Sequence, residues 1–174
     1  MISSYTTRLR ELADVLKPWQ SLFSNSKVIS DTVTFLHLAG LLFAGGFAIA
    51  ADRATFRALR GTAQDRITLL QEVGDVHRPV LIGLTVLFVS GVLLATADVE
   101  TFGKSLVFLV KMTLVALLLV NGAALQRIEN LLRANALRNR VGDAVLWRRL
   151  RITAMASVML WTSIVLAGTI LVNS

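Results

Sequence analysis

Residues 32–51, TVTFLHLAGLLFAGGFAIAA, form an apolar stretch whose one ionisable side chain is His37. A helix rises about 1.5 Å per residue, so this stretch can cross a hydrocarbon core about 30 Å thick. Apolar stretches of similar length follow at 76–97, 104–125 and 152–172. A barrel strand would be about ten residues long with alternating polarity, so these lengths predict transmembrane helices. The expected fold class is all-α: an integral membrane, up-down four-helix bundle.

The composition agrees with a chain dissolved in lipid. Hydrophobic residues make up 55% and charged residues 17% of the 174 residues, and the mean hydropathy is +0.66. Soluble domains contain about 25% charged residues. The net charge of +7 does not indicate nucleic acid, because the basic residues lie between apolar spans, where membrane lipids are the expected partners. Cysteine is absent, which excludes disulfides and thiolate metal sites.

The polar N-terminal segment, 1–29, is expected to form a separate interfacial element before the transmembrane part, 30–174. Within it, residues 5–23 place apolar side chains at helical spacings of three and four: Leu9, Leu12, Leu16, Trp19 and Phe23. This pattern predicts an amphipathic helix lying on the membrane and interrupted near Pro18; the alternative is a flexible polar tail. We expect no cleaved signal peptide, because the first apolar span begins too late.

Basic residues are distributed unevenly between the two sides of the spans. The connections after the first and third spans hold twelve arginines: Arg53, Arg57, Arg60, Arg66, Arg78, Arg127, Arg133, Arg138, Arg140, Arg148, Arg149 and Arg151. The other side holds five basic residues: Arg8, Arg10, Lys17, Lys27 and Lys104. Since basic residues mark the cytoplasmic side, we expect a bacterial inner-membrane protein with periplasmic N- and C-termini and a short periplasmic turn at 98–100.

Local signals predict where the helices begin and end. Thr62 and Asp65 resemble a capping box, the third span is expected to continue as a helix through 126–138, and Asp143 after Gly142 is a candidate N-cap. Pro79 is expected in the first turn of the second span. Trp147 is expected to anchor the chain at the membrane interface.

Small and polar residues within the spans predict how the helices pack. Gly40, Ala44 and Ala48 follow the small-xxx-small spacing that lets transmembrane backbones approach, and Gly46 with Ala50 forms a second such pair. Similar stripes occur on the second and fourth spans: Gly83, Ser90 and Ala97, then Ala154, Trp161 and Gly168. Asn121 and Gln126 are expected to hold helices together through hydrogen bonds.

Two ionisable residues are candidates for a binding site because such groups are costly at membrane depth. His37 lies about five residues into the first span and Lys111 about seven into the third, so both are expected near the periplasmic leaflet. Together they could receive a haem propionate, a quinone oxygen or a lipid head group. The alternative is structural: Lys111 extends towards Asp98, Glu100 or Asp31, and His37 bonds a neighbouring hydroxyl.

Other chemistries find less support in the sequence. His77 lies at the opposite end of the spans, about 20 Å of hydrocarbon away, so it cannot share a metal with His37 and is expected to be interfacial. Copper could use Met112 with His37, but Met112, Met155 and Met159 are typical of core packing. We found no nucleophile with a base and an orienting acid, no phosphate-binding glycine loop and no carboxylate pair inside a span. No catalytic or metal-binding residues are therefore predicted, and the chain is not expected to be an enzyme.

A family resemblance rests on short motifs between residues 32 and 127. They are LHLAG at 36–40 leading to Asp52-Arg53, Ser90-Gly91 with Ala97-Asp98, and 108–112 followed by Asn121. These motifs resemble small bacterial membrane proteins related to the copper-resistance protein D (CopD-like) group. The resemblance implies a four-helix membrane protein of uncharacterised function and carries over His37 and Lys111 as site residues. In that group the copper assignment applies to larger members, which have more helices and more histidines than this chain.

Two functions remain open from the sequence. In the first, the chain is a non-catalytic accessory subunit that packs against other membrane protein subunits of an energy-transducing complex, respiratory or photosynthetic. The small-residue stripes and helical extensions on the arginine-rich side favour this reading. In the second, His37 and Lys111 bind haem b, quinone or copper at the periplasmic leaflet.

Overall fold

The computed structural model describes residues 2–137 and 143–172, which are almost entirely helical. The helices are α1 (Ile2–Asn25), α2 (Lys27–Arg60), α3 (Ala63–Ala97), α4 (Val99–Lys104), α5 (Leu106–Leu137) and α6 (Ala144–Val172). Side chains are described except those of 2–13, Val73, Asp75, His77, Glu100, Leu137 and Val172. Helices α2, α3, α5 and α6 are long and apolar enough to cross a membrane. The prediction of an all-α chain with four apolar, span-length helices is confirmed.

The long helices extend well beyond the predicted spans because capping residues lie outside them. Thr62 and Asp65 form the predicted capping box: the Thr62 amide donates to Asp65 Oδ2 at 2.6 Å, and the Asp65 amide donates to Thr62 Oγ1 at 3.3 Å. Asp143 Oδ1 accepts from the amides of Val145 and Leu146, both at 3.2 Å, and so caps α6 as predicted. Gly142 lies outside the described residues.

Helix α3 therefore begins at Ala63, and Pro79 lies inside it. The expectation of Pro79 in a first turn is wrong, because the Thr62 cap starts the helix far upstream of the apolar span. Helix α5 runs through Leu137, in agreement with the predicted extension of the third span. It starts at Leu106 rather than 104, since Lys104 ends α4 and Ser105 separates the two helices.

Helix α1 is continuous through Pro18, so the predicted interruption there is wrong. Contacts with α3 hold the residues that follow the proline. Trp19 Nε1 donates to the Leu93 carbonyl at 3.1 Å, and Gln20 Nε2 donates to the Thr96 carbonyl at 3.3 Å. These bonds offset the amide hydrogen that proline lacks. At 98–100 the expected turn is the start of α4, which Asp98 caps.

Glycines bring the backbones of α2 and α3 into direct contact. A Cβ atom at Gly40 would lie 2.9 Å from the Leu87 nitrogen, and one at Gly83 would lie 2.9 Å from the Ala44 nitrogen. Both distances are shorter than a normal contact of about 3.5–4.0 Å between carbon atoms. Gly40 and Gly83 are thus packing positions, as predicted. Gly46 is exposed with no atom within 4 Å of a Cβ position, so its assignment to this packing is wrong.

Two apolar cores hold the four long helices together. The span core is built from α2, α5 and α6, and its buried residues are Ala44, Leu118, Trp161 and Ile164. The arginine-side core draws on α2, α3, α5 and α6 beyond the predicted spans: Ala58, Leu69, Leu70, Leu132, Trp147 and Leu150. Trp147 is 4% exposed, so the prediction that it anchors the interface is wrong. It fills this core, with the Arg66 guanidinium 5.3 Å from its ring centroid.

Polar bonding between helices is also only partly as expected. Asn121 Nδ2 donates to the Thr153 carbonyl of α6 at 3.0 Å, as predicted. Gln126 is exposed, and among the described residues it makes no hydrogen bond to another helix. Gln126 is five residues after Asn121, which is about 500° of helical rotation, or about 140° beyond a full turn. It therefore lies on the outer face of α5, whereas Asn121 faces α6.

Candidate functional site

His37 is held on α2 by a hydroxyl of α3. Its Nδ1 lies 3.2 Å from Ser90 Oγ, which in turn donates to the Val86 carbonyl at 2.6 Å. A serine hydroxyl has a single hydrogen; when Ser90 donates it to the Val86 carbonyl, Nδ1 of His37 must be the donor in the contact between the two side chains. In a neutral ring, Nε2 then has a free lone pair. This contact confirms, for His37, the structural alternative in which the ring bonds a neighbouring hydroxyl.

The local backbone makes room for this ring. A Cβ atom at Gly91, the residue after Ser90, would lie 3.1 Å from His37 Cε1. Glycine at this position therefore allows the Cε1 edge of the imidazole to pack closely against α3. The sequence motif Ser90-Gly91 thus supplies both the hydrogen-bond acceptor and the space for His37, which leaves the ring half-buried.

Lys111 reaches from α5 across to α6. A Cβ atom at Gly168 would lie 3.6 Å from Lys111 Nζ, so the ammonium group lies over a glycine of α6. Lys111 is half-buried and close enough to His37 to act on it electrostatically. Among the described residues it forms no ion pair or hydrogen bond, so Asp31 and Asp98 do not pair with it. The side chain of Glu100 is not described.

The two predicted site residues therefore lie near each other, with all four long helices contributing. Helix α2 supplies His37, α3 supplies Ser90 and Gly91, α5 supplies Lys111, and α6 supplies Gly168. The arrangement offers a nitrogen lone pair and a cationic donor in a partly apolar environment. An unpaired ammonium in such an environment is costly. A ligand oxygen that accepts from it would lower that cost.

The methionines do not extend this site. Met112 is 42% exposed and Met159 is 68% exposed, and Met155 also faces outward. Their assignment to core packing is wrong, because each lies on the outer face of its helix. Met112 is thus not directed towards His37, and the described residues contain no group of three or more His, Cys, Asp or Glu able to hold a metal. The prediction for His77 lies outside the described side chains.

A second polar cluster lies deeper in the fold and was not predicted. We call Asp52, Glu129, Arg133 and Ser157 the polar layer. Asp52 and Glu129 are each 3% exposed; Asp52 accepts a hydrogen bond from Ser157, and Glu129 interacts electrostatically with both Asp52 and Arg133. Arg133 packs on Gly74 of α3, where a Cβ atom would lie 3.0 Å from its Nη2.

The sequence gives little sign of the polar layer, because both of its acids lie outside the predicted spans. Asp52 and Glu129 lie one and four residues beyond the spans 32–51 and 104–125. Helical spacing could have found Asp52, since it continues the inward-facing series of Gly40, Ala44 and Ala48 at intervals of four. The pairing with Glu129 depends on the tertiary fold.

Comparisons with known proteins found no relative of this chain. Neither the protein-family models, nor the curated proteins, nor the solved structures contain a match to the chain.

Proposed function

We propose that the chain is a bacterial inner-membrane protein that binds a small oxygen-bearing ligand between His37 and Lys111, with a quinone as the best chemical match. The observation that carries this proposal is the half-buried Lys111 ammonium beside His37, which forms no ion pair or hydrogen bond among the described residues. We assign no catalytic residue. The proposal includes an up-down bundle whose arginine-rich connections face the cytoplasm.

A quinone uses both groups of the site. Its carbonyl oxygen would accept a charge-assisted hydrogen bond from Lys111. In the reduced form, a hydroxyl would donate to the His37 Nε2 lone pair, which the Ser90 contact leaves free. Haem b would use the same groups differently, with Nε2 on the iron and Lys111 on a propionate. Copper has less support here, because Met112 faces outward.

The test is to purify the chain in lipid nanodiscs, record its visible spectrum, measure its metal content and extract bound quinone. We expect quinone in the native protein and its loss in both His37→Ala and Lys111→Met. Lys27→Met is the matched control, since Lys27 is exposed at the start of α2. Ser90→Ala should lower quinone occupancy, because it removes the acceptor that fixes the His37 ring. A haem Soret band would identify the ligand as haem rather than quinone. Full occupancy of the ligand in both the His37 and the Lys111 variant would refute the site.

A second candidate function is that of an accessory subunit in a larger membrane complex. It is favoured by the outer face of α5, where Gly122 has no atom within 4 Å of a Cβ position and where Ala116 and Ala123 are also exposed. Small residues at a lipid-facing position allow another helix to approach closely.

This second function is tested by the size of the native complex in mild detergent. If a partner helix packs on α5, Gly122→Leu should release the chain from that complex. Thr85→Leu is the control, because it places the same side chain on an exposed position of α3 within its apolar span. Migration of the native protein as a single chain would refute the accessory function and leave the ligand-binding proposal untouched.

A further inference from the structure

Three arginines line one outward face of α2 where the helix leaves its apolar span. Arg53, Arg57 and Arg60 follow one another at spacings of four and three, so they lie on the same side of the helix. Together with Phe56 they line a shallow groove. At 1.5 Å per residue, the three positions cover about 10 Å along the helix axis.

These arginines do not stabilise the described part of the chain through polar contacts. All three are exposed, and none forms an ion pair or hydrogen bond with a described residue. Of the nearest acids in sequence, Asp52 is buried in the polar layer about 100° away around α2, and the Asp65 carboxylate accepts hydrogen bonds from Thr62. The groove is therefore lined by three positive charges that no described acidic residue pairs with. Guanidinium groups bind phosphate oxygens in a bidentate manner, more specifically than a point charge does.

The same stripe of α2 continues into the apolar span as a smooth surface. Gly46 and Ala50 precede Arg53 at helical spacing, and both are exposed. An acyl chain could lie along these small residues while the phosphate at its end meets the arginines. A soluble polyanion would gain nothing from this apolar extension. The complementary charge and the adjoining apolar strip both match a phospholipid.

We infer that Arg53, Arg57 and Arg60 form a binding site for the phosphate head group of an anionic lipid in the adjacent leaflet. This site lies at the opposite end of α2 from His37, and the inference does not depend on the proposed ligand there. The lipid would be held by charge at its head group and by the small-residue strip along its chain.

The test is native mass spectrometry of the purified chain titrated with phosphatidylglycerol, and separately with zwitterionic phosphatidylcholine. A basic residue at a lipid surface contributes about 1 kcal/mol, or roughly fivefold in affinity. Changing Arg53, Arg57 and Arg60 together to Gln should thus weaken phosphatidylglycerol binding about a hundredfold. The matched control changes Arg148, Arg149 and Arg151 to Gln, which removes three exposed charges from α6.

The expected result is a large loss with the α2 triple variant, a small loss with the α6 variant and weak binding of phosphatidylcholine throughout. Replacement of the three α2 arginines by lysine should retain part of the affinity, because charge remains while the bidentate geometry is lost. Equal losses in both triple variants, or equal affinity for the two lipids, would overturn the inference. Circular dichroism of each variant confirms that the helices are intact.

Discussion

The close contact of α2 and α3 can be tested by one substitution made at two glycines of the same helix. In Gly46→Ala, the new methyl group meets no atom within 4 Å, so the variant gains the helix propensity of alanine, about 1 kcal/mol. In Gly40→Ala, the methyl group would lie 2.9 Å from the Leu87 nitrogen and 3.1 Å from the Gly83 oxygen. These neighbours are backbone atoms, so the helices must separate, and such overpacking costs about 1–3 kcal/mol.

The two variants should therefore differ by about 1–3 kcal/mol, since both gain the same propensity and only Gly40→Ala is overpacked. The assay is unfolding of the purified protein by sodium dodecyl sulfate in mixed micelles, followed by circular dichroism. Gly83→Ala, which would place its methyl group 2.9 Å from the Ala44 nitrogen, should behave like Gly40→Ala. Equal stability of the Gly40 and Gly46 variants would refute the close packing of α2 on α3.

Three further outcomes follow from the described contacts. Trp161→Ala should cost about 3–5 kcal/mol in the same unfolding assay, because the ring fills the span core. Ser157→Ala should cost about 1–3 kcal/mol, because it removes a hydrogen bond from the buried Asp52 carboxylate. The third concerns pH: hydrogen bonds from the Thr62 side chain and amide lower the pKa of Asp65 below its ordinary value. Its stabilisation of α3 is thus present above the unfolded pKa and lost as the pH falls through the folded pKa. The protection factors of amide exchange in the first turn of α3, corrected for the intrinsic effect of pH on exchange, should fall in that range and stay constant in Asp65→Asn.

The span-length helices were predictable because hydrocarbon thickness sets a length that any helix crossing it must reach. The caps were predictable for a similar reason, since Thr62 and Asp65 are only three residues apart and their bonds are local. The face of α2 that packs on α3 was visible in the spacing of Gly40 and Ala44. The sequence could not show that Gly46 faces outward, because it has the same local pattern and only the neighbouring helix distinguishes the two.

The residues that the sequence placed wrongly depend on contacts between distant segments. A tryptophan near the end of a span suits an interfacial anchor as well as a core, and the burial of Trp147 among residues of other helices decides between them. Pro18 suggested a break, yet hydrogen bonds from Trp19 and Gln20 to α3 support a continuous helix. The sequence could place His37 and Lys111 at a similar depth, but the contact between His37 and Ser90 depends on how α2 packs on α3.

The four helices are held together by different forces along their length. Within the spans, lipid gives no hydrophobic drive for association, so glycine contacts and the bulk of Trp161 provide close packing. The arginine-side core lies wholly beyond the predicted spans, where burial of Leu69, Leu132 and Leu150 from water stabilises the same four helices. The polar layer, with Asp52 and Ser157, lies between the two cores along α2 and α6. There Ser157 bonds the Asp52 carboxyl group, and Arg133 interacts electrostatically with Glu129. In a membrane, as proposed above, the extensions beyond the spans would thus contribute a hydrophobic stabilisation that lipid does not give within the spans.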